Sequence, residues 1–174
     1  IMINSSKYLN KNDIRNLLKR HDITMFMTIE PQPGNSLKYE EIYNCTKYLS
    51  FCLNKNLIGN KVTKFKNSQD SIISFMFCEN GKKTQEKHAH VLFHYPKDIS
   101  HDDSHYLLFK ESNKKYWNDV SSFHKRYKHP EIYIEHIDKE KLEEVIIYCT
   151  KHINKNYSEW DIIFGNERKC LWNN

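Results

Sequence analysis

The sequence predicts an α+β fold in which helices pack on one face of an antiparallel sheet. Stretches with alternating apolar residues are separated by longer stretches with apolar residues three and four apart, the periods of strands and helices. The 174 residues are enough for one core, and the low content of Gly and Pro, four of each, argues against a disordered or loop-dominated chain. We therefore expect a single domain over residues 1–174.

The N-terminal part of the chain begins with a helix, a strand and a second helix. Residues 11–21 carry apolar side chains at helical spacing and predict a short helix. Residues 22–31 alternate as a strand until Pro31 ends it. The next helix is expected within residues 36–56, where apolar side chains share one face over several turns.

A hairpin and a second helical half follow. Residues 70–80 form an apolar strand that a polar loop joins to a strand over residues 88–96. Residues 106–127 have enough helical spacing for one broken helix or two. Residues 131–137 alternate as a strand, and residues 138–155 predict a closing helix.

The order of these elements specifies the type of sheet. After the first helix they run β, α, β, β, α, β, α, which is the order of a ferredoxin-like split βαβ sheet with its second face free. The N-terminal helix and a C-terminal extension over residues 156–174 are additions to that unit. The extension contains "WDIIF", which predicts an extra strand or a packing arm.

The charge and cysteine content limit the possible partners and location. Lys and Arg outnumber Asp and Glu by 27 to 22, which suits a partner that carries phosphates. The five cysteines form no Cys-x-x-Cys pair and are expected to be reduced. No apolar segment is long enough to span a membrane. We therefore expect a cytoplasmic protein, of a bacterial cytosol, with no membrane partner.

Two histidines in the strand "HAHVLF" are the first functional signal. In an extended strand alternate side chains share a face, so His88 and His90 lie on one face with Cα atoms about 6.7 Å apart. Their imidazoles are close enough to converge on one divalent ion. His94 lies about 13 Å farther along the strand than His90 and is expected to face solvent or DNA.

Two imidazole nitrogens do not complete a metal site, so a third, acidic ligand is needed. Glu79, at the end of the preceding hairpin strand, is best placed to supply it, and Glu86 and Glu30 are the alternatives. The other interpretation of the histidines is that they only form hydrogen bonds on a wet sheet face.

The closing helix carries the second functional signal on the face opposite its apolar stripe. Four polar residues line up there at helical spacing: Glu144, Tyr148, Lys151 and Lys155. A tyrosine hydroxyl, with its pKa near 10, is a poor nucleophile at neutral pH unless a cation assists it. A His/His/acid metal site would supply that cation. Without it, this face would simply be a solvated helix surface.

Three segments together resemble the motifs of HUH endonucleases, the rolling-circle replication initiators of small plasmids and single-stranded DNA viruses. They are "FMTIEP", "HAHVLF" and "YCTK", in that order, and the resemblance covers about residues 22–155. The single-tyrosine plasmid initiators are the most similar type. The resemblance implies sequence-specific nicking and joining of single-stranded DNA at a replication origin, which initiates and terminates rolling-circle replication.

The same resemblance implies a role for each motif residue. His88 and His90 would bind Mg²⁺ or Mn²⁺, and Tyr148 would attack the scissile phosphate and retain the 5′ end as a phosphotyrosine. Lys151 would help to place the phosphate or the tyrosine. Glu144, one turn before the tyrosine, would serve the terminating hydrolysis.

The expected substrate is single-stranded DNA or a hairpin extruded at the origin, because attack on a base-paired backbone is sterically awkward. Basic residues are available to bind its phosphates. The chain contains no GxxxxGK[ST] phosphate-binding motif of an ATPase, so strand separation is expected to come from a host helicase or from a part of the protein outside this chain. The candidate DNA-binding residues are Lys82, Lys83, Lys87 and Lys155.

Other classes of function share part of this sequence pattern. A relaxase or a transposase could use the same histidine pair and tyrosine, although relaxases usually carry the motifs in a permuted order. A non-catalytic nucleic-acid-binding module of ferredoxin-like fold is the alternative from a different class. Such a module would bind through exposed aromatic side chains on its sheet. The strand "HAHVLF" has two histidines in place of such an aromatic pair, which favours the enzyme.

Overall fold

The computed structural model describes residues 9–58, 71–81, 86–95, 103–123, 130–153 and 158–164. Within these ranges the chain forms helices and strands in alternation, with one hairpin between β2 and β3. In chain order they are α1 (Lys11–Lys19), β1 (Ile23–Glu30), α2 (Tyr39–Ile58), β2 (Ile73–Asn80), β3 (Lys87–His94), α3 (Asp103–Phe123), β4 (Glu131–His136), α4 (Leu142–Thr150) and β5 (Ser158–Ile163).

The five strands form one antiparallel sheet with the spatial order β4-β1-β3-β2-β5. The helix α2 connects β1 to β2, and α3 connects β3 to β4, so each connects two strands that are separated in the sheet by a third. This is the split βαβ arrangement. The predicted α+β fold with an antiparallel sheet is confirmed.

Helices cover both faces of this sheet, which corrects the expectation that one face is free. On one face, β1 and β3 contribute Met27 and Val91 to a core completed by α2 and α3. On the other face, Phe75 and Leu92 are buried beneath α1 and α4. The strand β2 is buried at nearly every position. Such a continuous apolar run is typical of a strand covered on both sides, and exposing either side would leave large apolar side chains in water.

The helix α1 holds α4 in place on the second face. Asn10 caps α1 in a capping box with Asp13. The Arg15 guanidinium donates a hydrogen bond from Nε to Thr150 Oγ1 (2.9 Å), and Lys11 donates from Nζ to the carbonyl oxygen of Lys151 (2.8 Å). Both acceptors lie at the C-terminal end of α4. The end of the helix that carries the candidate catalytic residues is therefore fixed to α1.

The structure corrects the predictions for two helices and decides between the two alternatives for the C-terminal extension. The helix α3 is continuous rather than broken. The closing helix α4 is shorter than predicted, since it ends at Thr150 and a turn follows. Of the two alternatives for the C-terminal extension, the extra strand is found, because β5 pairs with β2 at the sheet edge. Among the described residues, no helix has the length and apolar character needed to cross a membrane.

Candidate metal centre and adjacent tyrosine

The β2–β3 hairpin brings together one carboxylate and two imidazoles. Glu79 on β2 lies directly opposite His88 on β3, and His90 follows on the same face. His88 donates a hydrogen bond from Nε2 to Glu79 Oε1 (3.0 Å), and His90 Nε2 lies 3.6 Å from the same oxygen. One potential ligand atom from each of the three side chains lies within 4.8 Å of the others. We call Glu79, His88 and His90 the hairpin triad.

The imidazole of His90 is buried and held on several sides. Only 3% of the residue is exposed. Its Nδ1 lies 3.2 Å from Thr28 Oγ1, and the Phe26 ring stacks against it with centroids 5.6 Å apart. Its Nε2 is buried and has no hydrogen-bond partner among the described residues. Burial lowers the pKa of this imidazole, although the Glu79 carboxylate acts in the opposite direction. His90 is therefore neutral at pH 7, as a metal ligand must be.

Glu79 is surrounded by basic side chains. It is 6% exposed, yet Lys151 Nζ lies 3.3 Å from Oε1 and His152 Nε2 lies 3.2 Å from Oε2. Burial alone would raise the pKa of this carboxyl group. The hydrogen bond from His88, the nearby His90 imidazole and the charges of Lys151 and His152 outweigh burial and hold the pKa of this carboxyl group well below its usual range. Glu79 is therefore an anion at neutral pH.

The hairpin triad could hold a metal ion. Two imidazole nitrogens and one carboxylate oxygen are a common donor set for divalent metals, and a buried nitrogen without a hydrogen-bond partner fits a ligand position. Of the three acidic candidates, Glu79 is the one brought to the histidines. Glu30 and Glu86 do not belong to the group; Glu30, at the end of β1, is exposed.

The helix α4 places Tyr148 beside this triad. Its ring and that of His90 have centroids 4.9 Å apart at an interplanar angle of 62°, and the residue is 47% exposed. Lys151 Nζ lies 3.7 Å from the centroid of the Tyr148 ring, so one ammonium group contacts both the phenol ring and Glu79. Glu144 is exposed one turn earlier on the same helix and lies outside the triad.

Other predicted residues have varied placements. Lys87 is described at the start of β3, where it forms an ion pair with Glu159 and lies 5.8 Å from the centroid of the Tyr39 ring. The remaining three candidate DNA-binding residues lie outside the described residues; they are Lys82, Lys83 and Lys155.

The prediction that His94 faces solvent or DNA is wrong. The residue is 8% exposed, and its ring lies edge-on to that of His21 with centroids 5.1 Å apart. Strand alternation correctly assigned His94 to the face of His88 and His90. The error arose because the turn after α1 covers that end of the face, which alternation alone does not reveal.

His152 is a residue of this site that the sequence analysis missed. It directly follows Lys151, in the turn after α4, and contacts the Glu79 oxygen that faces away from His88. A usable signal was present, because a histidine next to the lysine of "YCTK" must lie near the same end of the helix. Its contact with a strand could not be inferred without knowing where α4 packs.

The chain was compared with protein-family models, with curated proteins and with solved structures, and none of the three comparisons gives a match.

Proposed function

We propose that this chain nicks and joins single-stranded DNA at a replication origin through a covalent 5′-phosphotyrosine on Tyr148, with the assistance of a divalent metal ion. The observation that carries the proposal is the convergence of the hairpin triad and the Tyr148 ring, which is 4.9 Å from His90, at one partly open site. Sequence motifs from three separate segments meet there. If the α4 face were only a solvated surface and the histidines only formed hydrogen bonds, nothing would require the two to lie side by side.

The triad supports a bound Mg²⁺ or Mn²⁺. Glu79 supplies an anionic oxygen and the two imidazoles supply nitrogen donors, which Mn²⁺ accepts more readily than Mg²⁺ does. Such a cation supplies a Lewis acid next to a phosphate oxygen. Lys151 adds a positive charge on the tyrosine side of the site. Together these groups would offset the charge that develops on a phosphodiester under attack.

In the proposed reaction Tyr148 is the nucleophile. Tyr148 Oη loses its proton and forms a bond to phosphorus, while the bond from phosphorus to the 3′ oxygen breaks and that oxygen gains a proton. The protein keeps the 5′ end, and the free 3′ hydroxyl can prime synthesis. The reverse attack by a 3′ hydroxyl rejoins the strand. Glu144, exposed one turn before Tyr148, is assigned to the hydrolysis that ends the cycle.

Covalent capture tests this proposal without knowledge of the origin sequence. A library of randomised single-stranded oligonucleotides is incubated with the protein and Mn²⁺, and the adducts that survive denaturation are isolated and sequenced. A 3′ label should remain with the protein, and a 5′ label should leave with the released fragment. We expect Tyr148→Phe to abolish the adduct, because the attacking oxygen is removed.

Tyr133→Phe is the matched control, because Tyr133 is an exposed tyrosine on β4. This variant should form the adduct as the wild type does. An adduct formed by Tyr148→Phe would contradict the assignment of the nucleophile. Binding of single-stranded DNA without any adduct in Mn²⁺ or Mg²⁺ would overturn the nicking activity and favour the non-catalytic nucleic-acid-binding module.

A further inference from the structure

The motif "FMTIEP" has no role in the chemistry described so far, although it forms most of β1. Its threonine, Thr28, lies at the centre of the sheet, paired with His90 on β3 and with Tyr133 on β4. Residues directly opposite each other in an antiparallel pair project from the same face. Thr28 is buried, and its hydroxyl lies 3.2 Å from His90 Nδ1.

This contact bears on which nitrogen of His90 can bind a cation. A neutral imidazole carries one proton, and the partner of one nitrogen determines whether the other has a free lone pair. His90 Nε2 faces Glu79 and His88. It can act as a ligand only when the proton is on Nδ1, and Thr28 Oγ1 is the hydrogen-bonding group within reach of Nδ1 among the described residues.

We propose that Thr28 is a positioning residue for the metal centre, whose hydroxyl accepts a hydrogen bond from His90 Nδ1 and thereby presents Nε2 to the ion. The inference rests on the metal-binding part of the proposed function and does not depend on the DNA chemistry. The inference gives the motif "FMTIEP" a physical role, because β1 carries the Thr28 hydroxyl and β3 carries His90 beside it. Metal-bound histidines commonly have such a partner on their second nitrogen.

The packing around His90 permits a clean test of the hydroxyl. Phe26 stacks on the ring and Tyr148 contacts it from α4, so the imidazole keeps much of its support when Thr28 loses only its oxygen. Thr28→Val replaces the hydroxyl with a methyl group of similar size and keeps the β-branched shape that suits a strand. Thr28→Ser restores the hydroxyl without the methyl group.

Mn²⁺ binding is measured by calorimetry on the full chain, with no DNA present. Loss of the partner of a metal-bound histidine typically weakens metal binding about 10-fold to 100-fold, and we expect that loss in Thr28→Val. Thr28→Ser should bind Mn²⁺ within a few-fold of the wild type. Thr24→Val is the matched control on the same strand, because Thr24 Oγ1 is buried with no hydrogen-bond partner in the described part of the chain.

A second readout is the proton itself. With saturating Mg²⁺, the ¹⁵N spectrum of the wild type should show the His90 proton on Nδ1, protected from exchange with water, and Thr28→Val should lose that protection. If Thr28→Val binds Mn²⁺ as tightly as the wild type, the inference is overturned and the proposed function stands. If the wild type itself binds no divalent metal, the metal part of the proposed function fails with it.

Discussion

Individual side chains at this site acquire their chemistry from the neighbours that the sheet and α4 place around them. The pairing of Glu79 with His88 was predictable, because both lie near the turn of one hairpin and a short loop restricts the register. The contacts from Lys151 and His152 to Glu79 were not, because they join a helix to a strand that is distant in sequence. Local patterns identify candidate ligands, whereas tertiary packing determines their protonation.

The buried His94 predicts a pH dependence of stability. Burial lowers the pKa of its imidazole, and the nearby His21 lowers it further, while Asp22 acts in the opposite direction. As the pH falls below about 6.5, the unfolded chain therefore binds a proton at His94 before the folded chain does. The contribution of neutral His94 to the free energy of unfolding is complete above about pH 6.5. It is lost as the pH falls through the lower pKa that this imidazole has in the folded state.

We expect the free energy of unfolding, measured in urea, to be lower at pH 5.5 than at pH 7.5. The loss attributable to His94 is at most about 1.4 kcal/mol for each pH unit in which only the unfolded chain is protonated. His94→Gln removes the titrating group and should show a smaller loss over the same interval. An equal loss in both proteins would rule out His94 as a source of the pH dependence.

At the scale of helices and strands, the existence of each element was easier to predict than its end. The strands were recognisable from alternation and from the apolar run of β2. The helix α4 ends at Thr150, and in the turn over residues 151–153 both Lys151 and His152 contact Glu79. A helical pattern in the sequence cannot show that the residues after the helix contact a strand that is distant in the sequence.

The helix α1 packs against α4 and the sheet, which leads to a prediction about stability. Leu18 is fully buried between α1 and the sheet, in the cluster that also contains Ile146 and Cys149 of α4. Leu18→Ala leaves a cavity there, and we expect a loss of about 2–5 kcal/mol in the free energy of unfolding. Chemical denaturation would measure it.

The matched control for this prediction is Leu107→Ala. Leu107 is 56% exposed on α3, on the opposite side of the sheet from α1. Its truncation should change the free energy of unfolding by no more than about 0.5 kcal/mol. Equal effects at the two positions would mean that α1 does not contribute to the core.

At the scale of the whole molecule, the element order indicated the order of the strands, whereas the covering of the second sheet face by α1 and α4 was not predicted, although β2 carried a signal for it. The order of elements along the chain indicates a split βαβ sheet, because each crossover helix leaves room for one strand between the two that it connects. The helices α1 and α4 cover the face that carries Phe75, Phe77 and Leu92. These large apolar side chains would otherwise be exposed to water. The sequence contained that information in the unbroken apolar character of β2, which is unusual for a sheet with one wet face.

Because the hairpin triad joins two strands and contacts α4, a metal ion bound there should stabilise the folded chain as a whole. A ligand that binds only the folded state adds about 2.7 kcal/mol to the free energy of unfolding at a concentration 100 times its Kd.

We therefore expect Mn²⁺ to raise the melting temperature of the wild type in a concentration-dependent way. His88→Ala removes one donor and should abolish most of that increase, measured against its own melting temperature without Mn²⁺. His136→Ala, at the end of β4 and outside the triad, should retain the full increase. An equal rise in His88→Ala and the wild type would place the stabilising ion elsewhere on the protein and remove the hairpin triad as its site.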